Sequence, residues 1–172
     1  MYMVMVRKGF TLIELLIVIA VLGVLAAVVL VAINPFQQLA KSRDAGRQSV
    51  TSQLGEATVT YSIQNGGSFP TANATWITTL QTSGEVSVIP AAISYSIAGI
   101  SPCATNNQNN LCYKSSAATG PVIVYSRLES TANNGRCTPP AVAWAVYSSA
   151  DGRGGVVCSQ AEPSPGNQNF LP

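Results

Sequence analysis

Residues 7–33, RKGFTLIELLIVIAVLGVLAAVVLVAI, decide how this chain is organised. Two positive charges and a glycine lead into an apolar run in which Glu14 is the single acid. No residue from Leu15 to Ile33 is charged. A helix over that run would be roughly 28 Å long at ~1.5 Å per residue, which is about the thickness of a bilayer core. The stretch therefore predicts a membrane-spanning helix near the N-terminus.

The charges around the run predict its orientation. Arg7 and Lys8 precede it, so the positive-inside rule puts the N-terminus in the cytoplasm and exports everything after Pro35. An ordinary signal peptide cut after Ala32 is the alternative, but the run is long for one and an internal acid is unusual. We therefore expect a single-pass protein of the cytoplasmic (inner) membrane.

Composition excludes several classes of function. The chain has 172 residues and no histidine, so Ser-His-Asp and Cys-His catalysis are excluded. We expect no enzymatic activity, no cofactor and no metal site. The net charge is +2, but beyond residues 1–9 seven basic side chains balance seven acidic ones. This balance gives no electrostatic basis for nucleic-acid binding.

The start of the apolar run resembles the prepilins of type IV pili and type II secretion systems. The residues that match the motif of that family are Gly9, Phe10, Thr11, Leu12 and Glu14, followed by an apolar helix at Leu15–Ile33. The resemblance implies that a prepilin peptidase, a membrane aspartyl peptidase, removes residues 1–9 as a leader. It also implies that the new N-terminus, Phe10, is methylated.

Glu14 needs a reason to lie in an apolar helix. A carboxylate there costs about 2.5–3.5 kcal/mol at the bilayer centre and less near an end. Cleavage before Phe10 would create an ammonium group in the same layer, which can pair with Glu14 of its own chain or of a neighbouring subunit. The alternative is that Glu14 merely reaches the headgroup region. The resemblance implies the first reading, a role for Glu14 in subunit assembly.

Small residues and a proline interrupt the helical pattern. Gly23 and Ala27 are four apart, a spacing that lets apolar helices approach closely, although such residues are also ordinary in membrane helices. Pro35 predicts a kink or short unwound stretch near residues 31–36. Alternatively, the span ends there and a new helix begins with Pro35 in its first turn. Residues 10–34 are thus expected to form the transmembrane or filament-core helix.

An amphipathic half of the long helix is expected over residues 35–66. Its apolar positions at helical spacing are Phe36, Leu39, Val50, Leu54, Ala57 and Tyr61, and Asn65-Gly66-Gly67 ends the pattern.

Residues 67–172 predict a β-rich globular domain. Trp76–Leu80 is a short helix candidate, and the strand candidates are Ile93–Ile97, Leu111–Lys114, Val122–Leu128, Val142–Tyr147 and Val156–Cys158. The last two form a hairpin around SSADGRGG, and Trp144 is expected in the core. We predict an α+β fold in which a long N-terminal helix packs on an antiparallel sheet, which is also the pilin fold that the resemblance implies.

The four cysteines of an exported domain predict disulfides. Three pairings are open to them. Cys103–Cys112 and Cys137–Cys158 are favoured because each closes a local loop, and the second would tie the last hairpin together.

The resemblance implies a pilin precursor that polymerises through its apolar helix into a surface filament for adhesion, motility or DNA uptake. Its expected partners are further pilin copies, the prepilin peptidase, the inner-membrane assembly platform and, before assembly, the membrane itself. A pseudopilin of type II secretion is the nearest alternative, since it shares the motif and often resembles the stretch LQTSGEVSVIP. A monomeric membrane-anchored binding module is a more distant one.

Overall fold

The computed structural model describes residues 9–97 and 99–172. Its elements are α1 (Leu12–Ile33), α2 (Pro35–Gln64), α3 (Trp76–Thr82), β1 (Asn107–Gln108), β2 (Leu111–Ser115), β3 (Val122–Arg127), α4 (Thr131–Asn134), β4 (Val142–Ser148) and β5 (Arg153–Ser159). The chain divides into two compact units that meet between Gln38 and Leu39. We call residues 9–38 the stem and residues 39–172 the head. The predicted α+β fold is confirmed, with N-terminal helices, a five-stranded antiparallel sheet and two disulfides.

Asn34 separates α1 from α2. Its φ of 46° lies in the left-handed region, which ends α1. Its carbonyl oxygen accepts a hydrogen bond from the N–H of Gln37 at 3.0 Å, so the residue also begins the next helix. Pro35 is then the first residue of α2, where its missing N–H leaves no helical hydrogen bond unmade. The structure thus has the second of the two expected arrangements, and a bend at Pro35 in an assembled filament stays a prediction.

The buried face of α2 includes polar residues beside the predicted apolar positions. Its buried residues follow helical spacing but are mostly small or polar: Ala40, Asp44, Arg47, Thr51, Leu54, Gly55, Thr58 and Ser62. Of the predicted apolar positions, Leu54 is buried in the core and Val50, Ala57 and Tyr61 pack against it, whereas Phe36 and Leu39 are 79% and 56% exposed. The predicted apolar face therefore contacts the core from Val50 to Tyr61, and polar side chains share the buried face because other elements supply their hydrogen bonds.

Four charged side chains gather on this buried face, and we call Arg43, Asp44, Arg47 and Glu129 the charge cluster. Glu129 Oε1 lies 2.5 Å from Arg43 Nε and 3.2 Å from Arg47 Nη1, while Arg47 Nη1 lies 2.9 Å from Asp44 Oδ1. Asp44 also accepts hydrogen bonds from the backbone N–H groups of Glu129 and Ser130, both at 2.9 Å. The side chains of Asp44, Arg47 and Glu129 are completely buried, so each depends on these partners.

The segment Ile93–Ile97 is a loop rather than the predicted strand, because its backbone forms hydrogen bonds with side chains of the charge cluster. The carbonyl of Ser94 accepts a hydrogen bond from Arg47 Nη2 at 2.9 Å. The N–H of Ser96 donates to Glu129 Oε2 at 2.8 Å. In a strand of the sheet, these N–H and C=O groups would instead form hydrogen bonds with a neighbouring strand.

The pKa of Glu129 reflects the balance within the cluster. Burial opposes its ionisation, but hydrogen bonds from Arg43, the Ser96 N–H and Arg47 outweigh burial and lower the pKa to about 2. Glu129 therefore stays ionised over the whole neutral range.

The sheet is an antiparallel meander in the order β1-β2-β3-β4-β5. The β4–β5 hairpin runs from the pair Val142 and Ser159 to the pair Ser148 and Arg153, as the turn-rich segment between them predicts. The remaining predicted strands, other than Ile93–Ile97, lie on β2 and β3, whereas the two-residue β1 had no sequence signal.

Each face of the sheet has its own core. Alternate residues of β3 point to opposite faces, so Val124 packs with the Trp76–Tyr113 layer under α2 and α3, whereas Tyr125 packs with Trp144 on the other side. Trp144 is 5% exposed, as expected for a core residue. The second face is covered by the Cys103–Cys112 disulfide and by Phe170 near the C-terminus.

Two glycines let α2 lie close to the β4–β5 hairpin. A Cβ atom on Gly55 would lie 2.1 Å from Tyr147 Cγ, and one on Gly154 would lie 2.2 Å from Ser52 Oγ. The clash at residue 55 involves the ring and Cβ of the buried Tyr147, so the approach there requires glycine, whereas Ser52 Oγ could rotate away from a Cβ atom at residue 154.

Two disulfides complete the head, Cys103–Cys112 and Cys137–Cys158. This is the pairing that local loop closure favoured. The first joins the segment before β1 to β2, and the second joins the segment after α4 to β5. The C-terminal segment returns to the same edge, where the N–H of Leu171 donates to the carbonyl of Val156 at 2.8 Å.

Candidate assembly site

The N-terminus of α1 is closed by a capping box between Thr11 and Glu14. Thr11 is the N-cap residue, and its hydroxyl oxygen accepts the N–H of Glu14 at 3.3 Å. In return, Glu14 Oε2 accepts the backbone N–H of Thr11 at 2.9 Å and its hydroxyl at 2.7 Å. The carboxylate thus lies over the start of the helix, where the macrodipole favours a negative charge.

An assembly role for Glu14 was predicted from the sequence but its capping of the helix was not, although the sequence contains the signal for such a cap. A threonine followed three residues later by glutamate, just before an apolar run, is the usual signature of a capping box. The cap satisfies helix-terminal N–H groups that have no other partner, which matters most where no water can replace it.

Gly9 and Phe10 precede the helix as exposed residues without regular secondary structure. The side chain of Phe10 is 82% exposed, and a Cβ atom on Gly9 would meet no atom within 4 Å. Among the described residues, nothing therefore covers the two residues that flank the predicted cleavage point. Arg7 and Lys8, on which the predicted orientation depends, lie outside the described residues.

The whole surface of α1 is apolar and exposed. None of its residues is buried, and Glu14 is its single charged residue. Among the described residues, one helical segment, Leu12–Gln64, contains a stretch that is apolar and long enough to cross a membrane. An isolated helix with this surface is unstable in water, so it requires either lipid or the apolar surfaces of other helices.

Gly23 and Ala27, the small residues at which close helix approach is predicted, lie on this exposed surface. A Cβ atom on Gly23 would meet no neighbour within 4 Å, so the backbone there is open to close approach. The structure contains one chain, and a helix–helix contact at these residues remains a prediction.

Other chemistry in the described part of the chain is sparse. No group of three or more histidine, cysteine, aspartate or glutamate side chains that could hold a metal ion occurs within residues 9–97 and 99–172. Asp151, in the β4–β5 turn, uses Oδ2 to accept the backbone N–H of Gln168 at 2.9 Å. Its carboxylate therefore anchors the C-terminal segment.

Comparison with known families supports the same N-terminal site. The profile of the prokaryotic N-terminal methylation motif matches residues 5–30, which include Gly9, Phe10 and the capping box. No curated protein and no solved structure matches the chain. The chain therefore carries, ahead of a pilin-like α+β fold, the N-terminal methylation motif that type IV pilins and pseudopilins share.

Proposed function

We propose that the chain is a type IV pilin precursor whose stem packs with other stems into a filament while its head faces outward. The observation that carries this proposal is an exposed apolar helix that begins with a capped carboxylate beside an accessible Gly9–Phe10 bond. In this proposal a prepilin peptidase cuts that bond and Phe10 becomes the methylated N-terminus, which the motif matched at residues 5–30 supports.

Cleavage changes the electrostatics at the start of α1. A free ammonium group on Phe10 would face the positive end of the helix macrodipole, which is unfavourable. The carboxylate of Glu14 counters both charges, and among the described residues its hydrogen-bond partners come from the neutral Thr11. Glu14 is therefore suited to bind an ammonium group from its own chain or from an adjacent subunit.

In the proposed pathway the stem first anchors the subunit in the inner membrane, with the N-terminus inside, and then enters the filament through the assembly platform. Extraction from lipid is feasible because other stems replace the lipid contacts. The attraction between Glu14 and an ammonium group would set the axial position of a helix that otherwise lacks polar contacts.

The decisive experiment compares three substitutions in cells. Glu14→Gln retains an oxygen for the capping box but removes the charge, Glu14→Leu removes both, and Thr11→Val removes the hydroxyl but retains the carboxylate. We expect processed subunit in the membrane for all three. Glu14→Gln and Glu14→Leu should give few or no filaments, whereas Thr11→Val should still give them. Immunoblots follow processing, and electron microscopy follows filaments.

Normal filaments from Glu14→Gln would show that the carboxylate serves only as a cap, and the charge-pairing mechanism would be wrong. Gly9→Leu is the control for processing, and it should accumulate uncut precursor. Terminal analysis of the mature protein should find Phe10 first, while a terminus near Ile33 would indicate an ordinary signal peptide and would exclude the pilin assignment.

A pseudopilin of type II secretion remains the alternative, since the same motif serves both. Mass spectrometry of sheared surface filaments separates the two. A pilin should be recovered as a filament subunit, whereas a pseudopilin should be missing from such filaments and its deletion should block secretion. A monomeric binding module would show neither behaviour.

A further inference from the structure

The dipeptide Asn-Gly occurs twice in the chain, at Asn65-Gly66 directly after α2 and at Asn134-Gly135, where Asn134 is the last residue of α4. Asparagine before glycine is prone to deamidation, because glycine has no side chain to shield its nitrogen and its backbone rotates freely. The structure holds the two dipeptides so differently that they should react at different rates.

We propose that Asn65 is a site of spontaneous deamidation in the folded protein and that Asn134 is protected from the same reaction. The amide nitrogen of Gly66 attacks Cγ of Asn65, the new N–C bond forms, and the Cγ–Nδ2 bond breaks. Nδ2 leaves as ammonia and takes up the Gly66 amide proton. Water then opens the cyclic imide at either carbonyl, which gives aspartate or isoaspartate at position 65. Water is the only co-reactant.

At Asn65 fewer of the reacting groups are held, although the backbone around them is fixed by hydrogen bonds from the Gly67 N–H to the carbonyl of Ser62 at 2.7 Å and from the Ser68 N–H to the carbonyl of Asn65 at 3.1 Å. Both Asn65 and Gly66 are exposed, and among the described residues the N–H of Gly66 has no hydrogen-bond acceptor. One hydrogen bond holds the side chain, from Nδ2 to the carbonyl of Tyr61 at 2.8 Å. A Cβ atom on Gly66 would meet no neighbour within 4 Å, so the surface beside the attacking residue is open.

Asn134 is held at every group that the reaction needs. Its Nδ2 donates to the carbonyls of Leu128 and Ser130 at 3.2 and 3.0 Å, and its Oδ1 accepts the N–H of Ala143 at 3.0 Å. The attacking nitrogen, in Gly135, donates its proton to the carbonyl of Thr131 at 2.8 Å. Four hydrogen bonds must therefore break before the ring can close.

Deamidation at Asn65 would change the end of α2. The bond from Nδ2 to the carbonyl of Tyr61 would be lost, and a negative charge would appear where the helix macrodipole is already negative. We therefore expect the last turn of α2 to exchange amide hydrogens faster in the aged protein than in the fresh one.

The test incubates the full chain in mild detergent at slightly alkaline pH, with a parallel sample unfolded in urea. Peptide mass spectrometry follows each dipeptide, and enzymatic methylation of isoaspartate identifies the product. In the folded protein Asn65 should react at least about tenfold faster than Asn134, since more hydrogen bonds hold the reacting groups of the latter. In urea the two rates should converge.

The variant Asn65→Gln is the matched control and should remove most of the isoaspartate signal from the folded sample. The proposal is overturned if Asn65 in the folded protein reacts no faster than Asn134. It is equally overturned if the large difference between the two persists in urea, because local sequence rather than structure would then be its cause.

Discussion

Glu14 in the stem and Glu129 in the head are two carboxylates in places where a charge is costly, and the chain satisfies them in opposite ways. Glu14 lies on an exposed apolar helix and is bound by Thr11, three residues away. Glu129 is buried and is bound by Arg43 and Arg47, which precede it by 86 and 82 residues. The head thus pairs its buried carboxylate with positive charges of the same chain. Among the described residues, the stem carboxylate of Glu14 has hydrogen-bond partners that are neutral.

The same substitution should therefore lower the stability of the head at one position and leave it unchanged at the other. Glu129→Gln leaves Arg43 and Arg47 without their shared counter-charge, and we expect the free energy of unfolding of the head to fall by ~3–5 kcal/mol. Glu14→Gln should leave that free energy unchanged. Urea unfolding in detergent measures both, followed by tryptophan fluorescence, since both tryptophans belong to the head. Equal effects would remove the distinction between the two carboxylates.

Acid should reproduce part of the loss at Glu129 without any mutation. Its pKa is lowered from 4.5 to about 2 in the folded state, so the unfolded chain takes up a proton first as the pH falls. The stabilisation is therefore complete above about pH 4.5, decreases from there towards pH 2, and is lost below. The urea midpoint of the wild type should decline across this window, and Glu129→Gln should show a flatter profile. Parallel profiles for the two proteins would contradict the assignment.

Sequence patterns predicted the stem better than the head because the stem depends on local features. The apolar run, the position of Glu14 and the break at Asn34-Pro35 are all encoded by residues a few positions apart. Strands on β2 to β5 were likewise visible as β-branched runs between turn residues.

The charge cluster could not be predicted in the same way. Periodicity assigns Arg47 and Asp44 to a solvated face, and nothing near them in the sequence shows that Glu129 and the loop at residues 93–96 will supply their partners. The same long-range information decides that Ile93–Ile97 is not a strand. Burial of a charge depends on tertiary contacts, which local patterns do not contain.

Removal of a disulfide should have the next largest effect on the free energy of unfolding of the head. Replacing Cys137 and Cys158 by serine should lower the free energy of unfolding by about 2–4 kcal/mol, because the unfolded chain gains freedom. The pair Cys103 and Cys112 closes a shorter loop and should contribute less. Non-reducing peptide maps test the connectivity, and crossed linkages would refute the pairing. Neither replacement should alter cleavage at Gly9, which lies in the stem.

The smallest expected effect is a difference in the free energy of unfolding between Gly46→Ala and Gly55→Ala, and it tests how tightly the head is packed. An alanine in place of either glycine should gain about 1 kcal/mol of helix propensity. At Gly46 the new Cβ atom would meet only the flexible end of Ile93, at 3.3 Å, so Gly46→Ala should be neutral or stabilising. At Gly55 it would meet Cγ of Tyr147 at 2.1 Å and force α2 away from β4, which typically costs ~1–3 kcal/mol. Urea unfolding should therefore place the two variants on opposite sides of the wild type or, at the least, rank Gly55→Ala below Gly46→Ala. The reverse order would mean that α2 can shift on the sheet without loss, and the contrast between a tightly fitted head and an open stem would then rest on the charge cluster alone.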